Sequence, residues 1–214
     1  MVTVATFLDI GKGAGNTLLY TVFPFFFSFI IANFVAIHNT IYKNWLSAIL
    51  KVYVSIFRGT PVVVQLFIIY YALPILCPAI QTSGFVSVVI TLSLNSGAYL
   101  SEILRGALQS IDKGQFEAAQ TLKIPNWLMW KDIILKQMYR IAFPNICNEF
   151  INLLKETAVV SMIGETDLLR RANNIGAQTY SYMEPLLIAG LYYYVLVMLL
   201  TYLSKRWEKS YDCC

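Results

Sequence analysis

Charge is scarce in this chain. Asp, Glu, Lys and Arg make up 13% of its 214 residues, where a soluble domain carries roughly a quarter, and that deficit excludes an ordinary water-facing surface. His38 is the sole histidine. With no Ser-His-Asp, Cys-His or paired-carboxylate arrangement near it, the sequence supports neither an enzyme nor a metal site. The four cysteines, Cys77, Cys147, Cys213 and Cys214, lack metal-ligand spacing and read as packing residues or free thiols, the last two in a disordered C-terminal end. No G-x-x-x-x-G-K-[ST] phosphate loop occurs, so the chain cannot cradle ATP in the usual way. The N-terminus lacks a basic cluster and an A-x-A-like cleavage site, and no cleaved signal peptide is expected.

What fills the space is apolar. Hydrophobic residues account for 57% of the chain, with fourteen Tyr, thirteen Phe and four Trp and a mean hydropathy of +0.60. One soluble core of this size cannot hide that much, and aromatic rings are expected at the two interfaces of a bilayer. A helix needs about 20 mostly apolar residues to cross the hydrocarbon. Five windows qualify, at about 17–37, 59–76, 84–104, 141–163 and 185–204. The stretch 59–101 carries no charge but is too long for one span, and Pro74, Pro78 and Ser83-Gly84 divide it into two. The fourth window holds Glu149, Lys155 and Glu156. The fold expected is an all-α integral membrane protein, a single transmembrane domain over 1–214.

With five spans the termini lie on opposite sides, and the basic residues decide which side is cytoplasmic. If the C-terminus is inside, twelve of the sixteen Lys and Arg lie on inside segments or helix ends. Lys12, Arg170 and Arg171 remain outside, and Lys155 sits in the fourth span. The N-terminus is therefore expected out and the C-terminus in. The net charge of +4 then reflects topology, and the scattered basic residues form no nucleic-acid stripe.

Two inside segments read as helices that do not cross. In 42–57, Trp45, Ile49, Val52 and Ile56 recur at spacings of three and four beside Lys43 and Lys51, the pattern of an amphipathic interfacial helix. The loop at about 109–140 reads QSIDKGQFEAAQTLKIPNWLMWKDIILKQMYR. Asp112 and Gly114 precede a short run of helix formers, 115–122, which Pro125 stops from continuing past Ile124. Ala118 and Ala119 permit close approach and Glu117 offers a charge, features suited to docking another protein. A second helical run follows, with Trp127, Trp130 and Ile134 at the same spacings.

The run EAAQTLKIPNWLMWKDIIL resembles the EAA loop of bacterial ABC-importer permeases, although that family usually has Gly at the position of Lys123 and Pro at that of Lys136. Arg58-Gly-Thr-Pro61 with Gln65, Ser96-Gly-Ala-Tyr99 with Glu102 and Arg105-Gly106, and Gly114-Gln-Phe-Glu-Ala-Ala119 resemble the subfamily for polar amino acids. So do Pro144, Asn148-Glu149-Phe150 and Lys155-Glu-Thr157. The resemblance extends from about 13 to 207. It implies a permease subunit in the bacterial cytoplasmic membrane that works as a dimer with a second copy or a paralogue. It further implies ATPase subunits inside, docked on a coupling helix of Gly114, Gln115, Glu117, Ala118, Ala119 and Leu122, and a solute-binding protein outside. No cofactor is expected on this chain; ATP and Mg belong to the ATPase.

Ionisable groups within a span usually face a partner, a cavity or a pathway. In the fourth window, Asn145, Glu149, Asn152 and Glu156, together with Asn148 and Lys155, form one broad polar stripe. A zwitterionic amino acid needs a partner for its ammonium and another for its carboxylate, and Glu149 and Lys155 have opposite signs. The competing reading is an ion pair that holds helices or copies together. On the third span Asn95, Tyr99 and Glu102 share a face. The first two are candidates for the pathway, while Glu102 and Arg105, nearer the inner end, fit a structural or gating role. Gln65 reads as an interhelical hydrogen bond. Two other functions remain open: an ion-coupled carrier or channel using Glu149, Lys155 and Glu156, and a non-transporting scaffold.

Overall fold

A computed structural model describes residues 4–212; Cys213 and Cys214 lie outside the described residues. Every regular element described is helical. The elements are α1 (Val4–Gly11), α2 (Gly13–Ile41), α3 (Trp45–Gly59), α4 (Val62–Leu76), α5 (Gly84–Ser110), α6 (Lys113–Thr121), α7 (Leu135–Glu156), α8 (Leu168–Thr179) and α9 (Met183–Asp212).

The side chains show which solvent this bundle is built for. Eleven large apolar side chains on α9 are exposed, from Met183 and Leu187 to Tyr202 and Trp207, and α2 exposes Phe23, Phe26, Phe27, Ile30 and Phe34. Removing one such side chain from water is worth about 1.5–3 kcal/mol. The α9 face alone would thus cost on the order of 10 kcal/mol in water, comparable with the whole stability of a domain. Hydrocarbon removes that cost. By length and apolarity, Val4–Ile41, Gly84–Ser110 and Met183–Glu208 qualify as spans among the described residues, and Trp45–Gly59 with Val62–Leu76 adds a fourth if the bent pair counts as one. α7 is 22 residues long, and Lys136, Arg140, Glu149, Lys155 and Glu156 make it less apolar than the others. A count of five spans therefore takes α4 and α7 as one each.

Local chemistry sets the breaks. α3 and α4 meet at 110°, where Pro61 holds Thr60 in extended backbone. Gln65 fixes the corner. Its Nε2 donates to the carbonyls of Phe57 (2.9 Å) and Thr60 (3.0 Å), satisfying groups that the end of α3 leaves open. The helix expected at 59–76 thus begins at Val62, after this corner. Within α4 a π-helical turn, Ile68–Ala72, precedes Pro74 and absorbs the helical hydrogen bond that proline cannot donate.

α2 and α5 form the most extensive helix pair. α5 buries Ser87, Thr91, Ser96, Gly97, Ala98 and Ser101 against its neighbours, and small residues let backbones close in where hydrocarbon supplies no hydrophobic drive. A β-carbon on Gly97 would lie 3.1 Å from Ile31 Cγ2 and 3.2 Å from the Tyr53 hydroxyl, so Gly is the residue that fits. One apolar cluster joins Ala32 and Ala36 of α2, Leu100, Leu104 and Leu108 of α5, Ala119 of α6, and Met138 and Ala142 of α7.

The second helical run of the 109–140 segment is continuous with α7, the helix over the fourth expected span. A turn at Asn126–Leu128 and a π-helical stretch at Met129–Ile134 lead straight into α7, and a 3-10 turn, Thr157–Ile163, ends it at Gly164 in left-handed backbone.

Candidate functional site

Tyr99 of α5 and Glu149, Asn152, Lys155 and Glu156 of α7 line a single cavity of about 430 Å³. Five of the six residues expected in a pathway are thus brought together. The cavity holds two carboxylates, one ammonium, one amide and one phenol, the mixture of signs that a zwitterion requires. Glu149 is 8% exposed, and its Oε1 accepts from Ser96 Oγ at 2.8 Å, which fixes the carboxylate against α5. Asn145, Asn148, Asn152 and Lys155 are exposed along α7, so most of the stripe faces away from this chain.

Asn95 lies elsewhere. It is 3% exposed, and its Nδ2 donates to Gln65 Oε1 (3.0 Å) and to the Phe57 carbonyl (3.1 Å). It pins the α3–α4 corner to α5 and does not line the cavity. Gln65 makes the interhelical hydrogen bond expected of it.

Glu102 and Arg105 pair through two bonds, Arg105 Nε to Oε1 at 2.8 Å and Nη2 to Oε2 at 2.6 Å, the fork geometry of a strong charge-assisted contact. Arg58 Nη1 lies 3.5 Å from Glu102 Oε2, and its guanidinium carbon sits 5.3 Å from the centre of the Tyr99 ring, within cation–π range. The end of α3 is thereby tied to α5.

α6 carries the segment expected to couple. Asp112 caps it, with Oδ1 accepting from Gly114 N–H at 2.9 Å. At its other end Lys123 N–H donates to the Gln120 carbonyl (2.9 Å) and Ile124 N–H to that of Ala119 (3.0 Å). This is the Schellman closure, with its residue past the cap in left-handed backbone; here that residue is Lys123, at φ 52°. Ala119 is buried, Phe116 half-buried, and Gly114, Gln115, Glu117, Ala118 and Leu122 exposed. The helix thus stands proud of the bundle with one edge rooted in it.

At the opposite end sequence reasoning missed a buried acid. Asp167 is fully buried and caps α8, its Oδ1 accepting from Arg170 N–H (2.7 Å) and Oδ2 from the Tyr193 hydroxyl (2.8 Å). Burial pushes its carboxyl above the ordinary value, while those hydrogen bonds pull the other way. Asp directly before Leu168-Leu169 is a helix-start signal. Nearby, Arg171 Nη1 meets Asp9 Oδ1 at 3.1 Å and Tyr20 donates to Glu165 at 2.6 Å.

A bundle of long apolar helices with a polar cavity between two of them defines a multi-span membrane protein. Residues 25–211 match the family of binding-protein-dependent transport system inner membrane components, and the chain belongs to it: it is a multi-pass permease subunit of an ABC transporter of the bacterial inner membrane. It is 46% identical to a putative glutamine transport system permease protein of Rickettsia conorii, over 93% of this chain and 91% of that protein. It is 51% identical to the arginine transport system permease protein of Bacillus subtilis, over 74% and 72%. The crystal structure of an amino acid ABC transporter with histidines superposes with a TM-score of 0.88 at 31% identity, covering 98% of this chain and 99% of that one. An inward-facing methionine ABC transporter gives 0.84 at 17% identity over similar lengths, a likeness of fold alone.

Proposed function

We propose that this chain forms half of the membrane pathway of an ATP-driven importer for a polar amino acid of the glutamine or arginine class. The observation that carries this reading is the cavity in which Glu149, Asn152, Glu156, Lys155 and Tyr99 meet, because it offers both signs of charge where a zwitterion must leave water. The exposed remainder of the α7 stripe is covered by a second copy or a paralogue, and the two chains alternate between outward-open and inward-open states. The five spans run with the N-terminus out and the C-terminus in.

Energy comes from ATPase subunits that bind ATP and Mg and grip α6 through Gly114, Gln115, Glu117, Ala118 and Leu122. A solute-binding protein delivers the amino acid at the outer end. This chain holds no cofactor and performs no chemistry. The test is uptake of labelled L-glutamine and L-arginine into proteoliposomes containing the chain and its co-purifying partners. Uptake should require ATP and be abolished by Glu117→Lys while that variant still inserts and folds. Uptake driven by a proton or sodium gradient without ATP would overturn the reading in favour of a carrier.

A further inference from the structure

Tyr99 belongs to two neighbourhoods. Its ring borders the central cavity, while its hydroxyl donates to the Arg58 carbonyl at 3.5 Å and the Arg58 guanidinium covers the ring. Beyond Arg58 opens a larger cavity, about 650 Å³, bordered by Asn39, Lys51, Ser55, Arg58, Glu102 and Arg105 among others. This volume lies within the roughly 300–1,000 Å³ of small-molecule sites. Asn39 is near the end of α2 and Arg105 near that of α5, which places the cavity at the end of the bundle where α6 sits. Arg58, on the border of this chamber, is thus in direct contact with Tyr99, on the border of the other.

We propose that this inner chamber on the α6 side is a product-side binding site for the transported amino acid, through which solute accumulated inside the cell slows further import. The proposal rests on the importer reading above. Charge is the first argument. Three cations face one carboxylate, and Glu102 is already engaged by Arg105 through two short bonds. Arg58 is held only at 3.5 Å, and no ion pair of Lys51 is found among the described residues. Those two cations suit an α-carboxylate. For the ammonium, Glu102 keeps free lone pairs, and the buried Asn39 Oδ1 has no hydrogen-bond partner among the described residues.

The second argument concerns what opens onto the chamber. Lys51, Ser55 and Arg58 recur at spacings of four and three along α3, whereas its exposed apolar residues, Trp45, Ile49, Val52 and Ile56, follow the same rhythm on another face. The face that meets hydrocarbon is not the face that lines the chamber, so the chamber takes its ligand from water and not a lipid headgroup from the bilayer.

The experiment uses the complete complex in proteoliposomes loaded with ATP, so that only transporters with the ATPase inside are driven. Vesicles contain rising internal L-glutamine or L-arginine, and initial uptake of label is compared with each variant's own uptake into vesicles free of amino acid. Internal amino acid should slow the wild type, and Lys51→Gln should raise the half-inhibiting concentration by at least about tenfold, as loss of one charged hydrogen bond requires. No slowing, or equal slowing in Lys51→Gln, overturns the site. If the wild type shows no ATP-driven uptake, the importer reading itself fails. Equilibrium binding of the same labelled amino acids to the complex in nanodiscs then decides the site by itself. A component weakened by Lys51→Gln but not by Glu149→Gln supports it; absence of that component, or its equal displacement by inorganic phosphate, overturns it.

Discussion

Replacing Glu149 with Gln tests the central cavity most directly. The substitution keeps the shape and the oxygen that accepts from Ser96 Oγ at 2.8 Å, so packing against α5 is preserved and only the charge is removed. A hydrogen bond between a ligand ammonium and a carboxylate is worth about 1.5–3 kcal/mol more than none, and 1.4 kcal/mol is a factor of ten. Affinity for the amino acid should therefore fall roughly 10- to 100-fold. Ser96→Ala, which frees the carboxylate without discharging it, should cost less than about fivefold. The assay is equilibrium binding to the complex in nanodiscs, paired with the KM of uptake in proteoliposomes. KM should rise while co-purification of the ATPase through α6 stays intact. An unchanged affinity for both L-glutamine and L-arginine in Glu149→Gln would refute the assignment of this carboxylate to the pathway.

Three other perturbations follow from single contacts. Lys123→Gly relieves left-handed backbone at φ 52° and should stabilise the chain by about 0.5–1 kcal/mol, seen as a higher melting temperature in nanodiscs; a lower one would mean that the lysine side chain holds the turn. Gln65→Leu removes the donor to the Thr60 carbonyl and the acceptor of Asn95 Nδ2, while the Phe57 carbonyl keeps Asn95 as a donor; it should cost about 1–3 kcal/mol by the same melt, with an unaltered melt counting against the corner's role. Asp167 is the site of a pH effect. Folding raises its carboxyl, so the ionised form costs stability above the folded value, and that cost disappears as pH falls through it toward the unfolded value. Mild acidification should raise the melting temperature, and Asp167→Asn should flatten that part of the profile.

The helix starts and stops near α6 were legible because their signals are local: Asp112 as a cap, Pro125 as a barrier. The polar stripe of α7 was legible for the same reason, since Glu149, Asn152 and Glu156 lie on one helix and spacing alone gives their common face. Spacing failed for Asn95, Tyr99 and Glu102. They share a face of α5, but Asn95 and Glu102 are seven residues apart, about 10 Å of helix, and meet different partners. Asn95 reaches Gln65 at the corner, Tyr99 the central cavity, and Glu102 the inner chamber. Those partners come from α3, α4 and α7, and no local pattern reports them. The continuity of Met129–Ile134 with α7 was missed because Lys136 and Arg140 mark where a helix leaves the membrane, not where it ends.

That continuity gives the proposed coupling a physical route. A helix pushed from below moves a cavity only if stiff structure joins them, and α6 alone is nine residues long. Its root is Ala119, 2% exposed, packed in one cluster with Leu104 of α5, Ile134 of the π-helical stretch and Met138 of α7. Ile124, in the Schellman closure, packs on the same cluster. Displacement of α6 is therefore shared between α5 and α7, the helices that carry Tyr99 and Glu149 on the two walls of the cavity. The π-helical turn between Leu128 and Leu135 is the place in this route where the hydrogen-bond register already departs from the α-helix. A one-residue insertion after Tyr139, in the α-helical part of this route beyond Ile134 and Met138, should rotate the α7 stripe by about 100° relative to α6 and uncouple uptake from ATP hydrolysis. ATPase subunits should still co-purify with such a variant, because the α6 surface is untouched; full ATP-driven uptake by it would show that the rigid link lies through α5 alone.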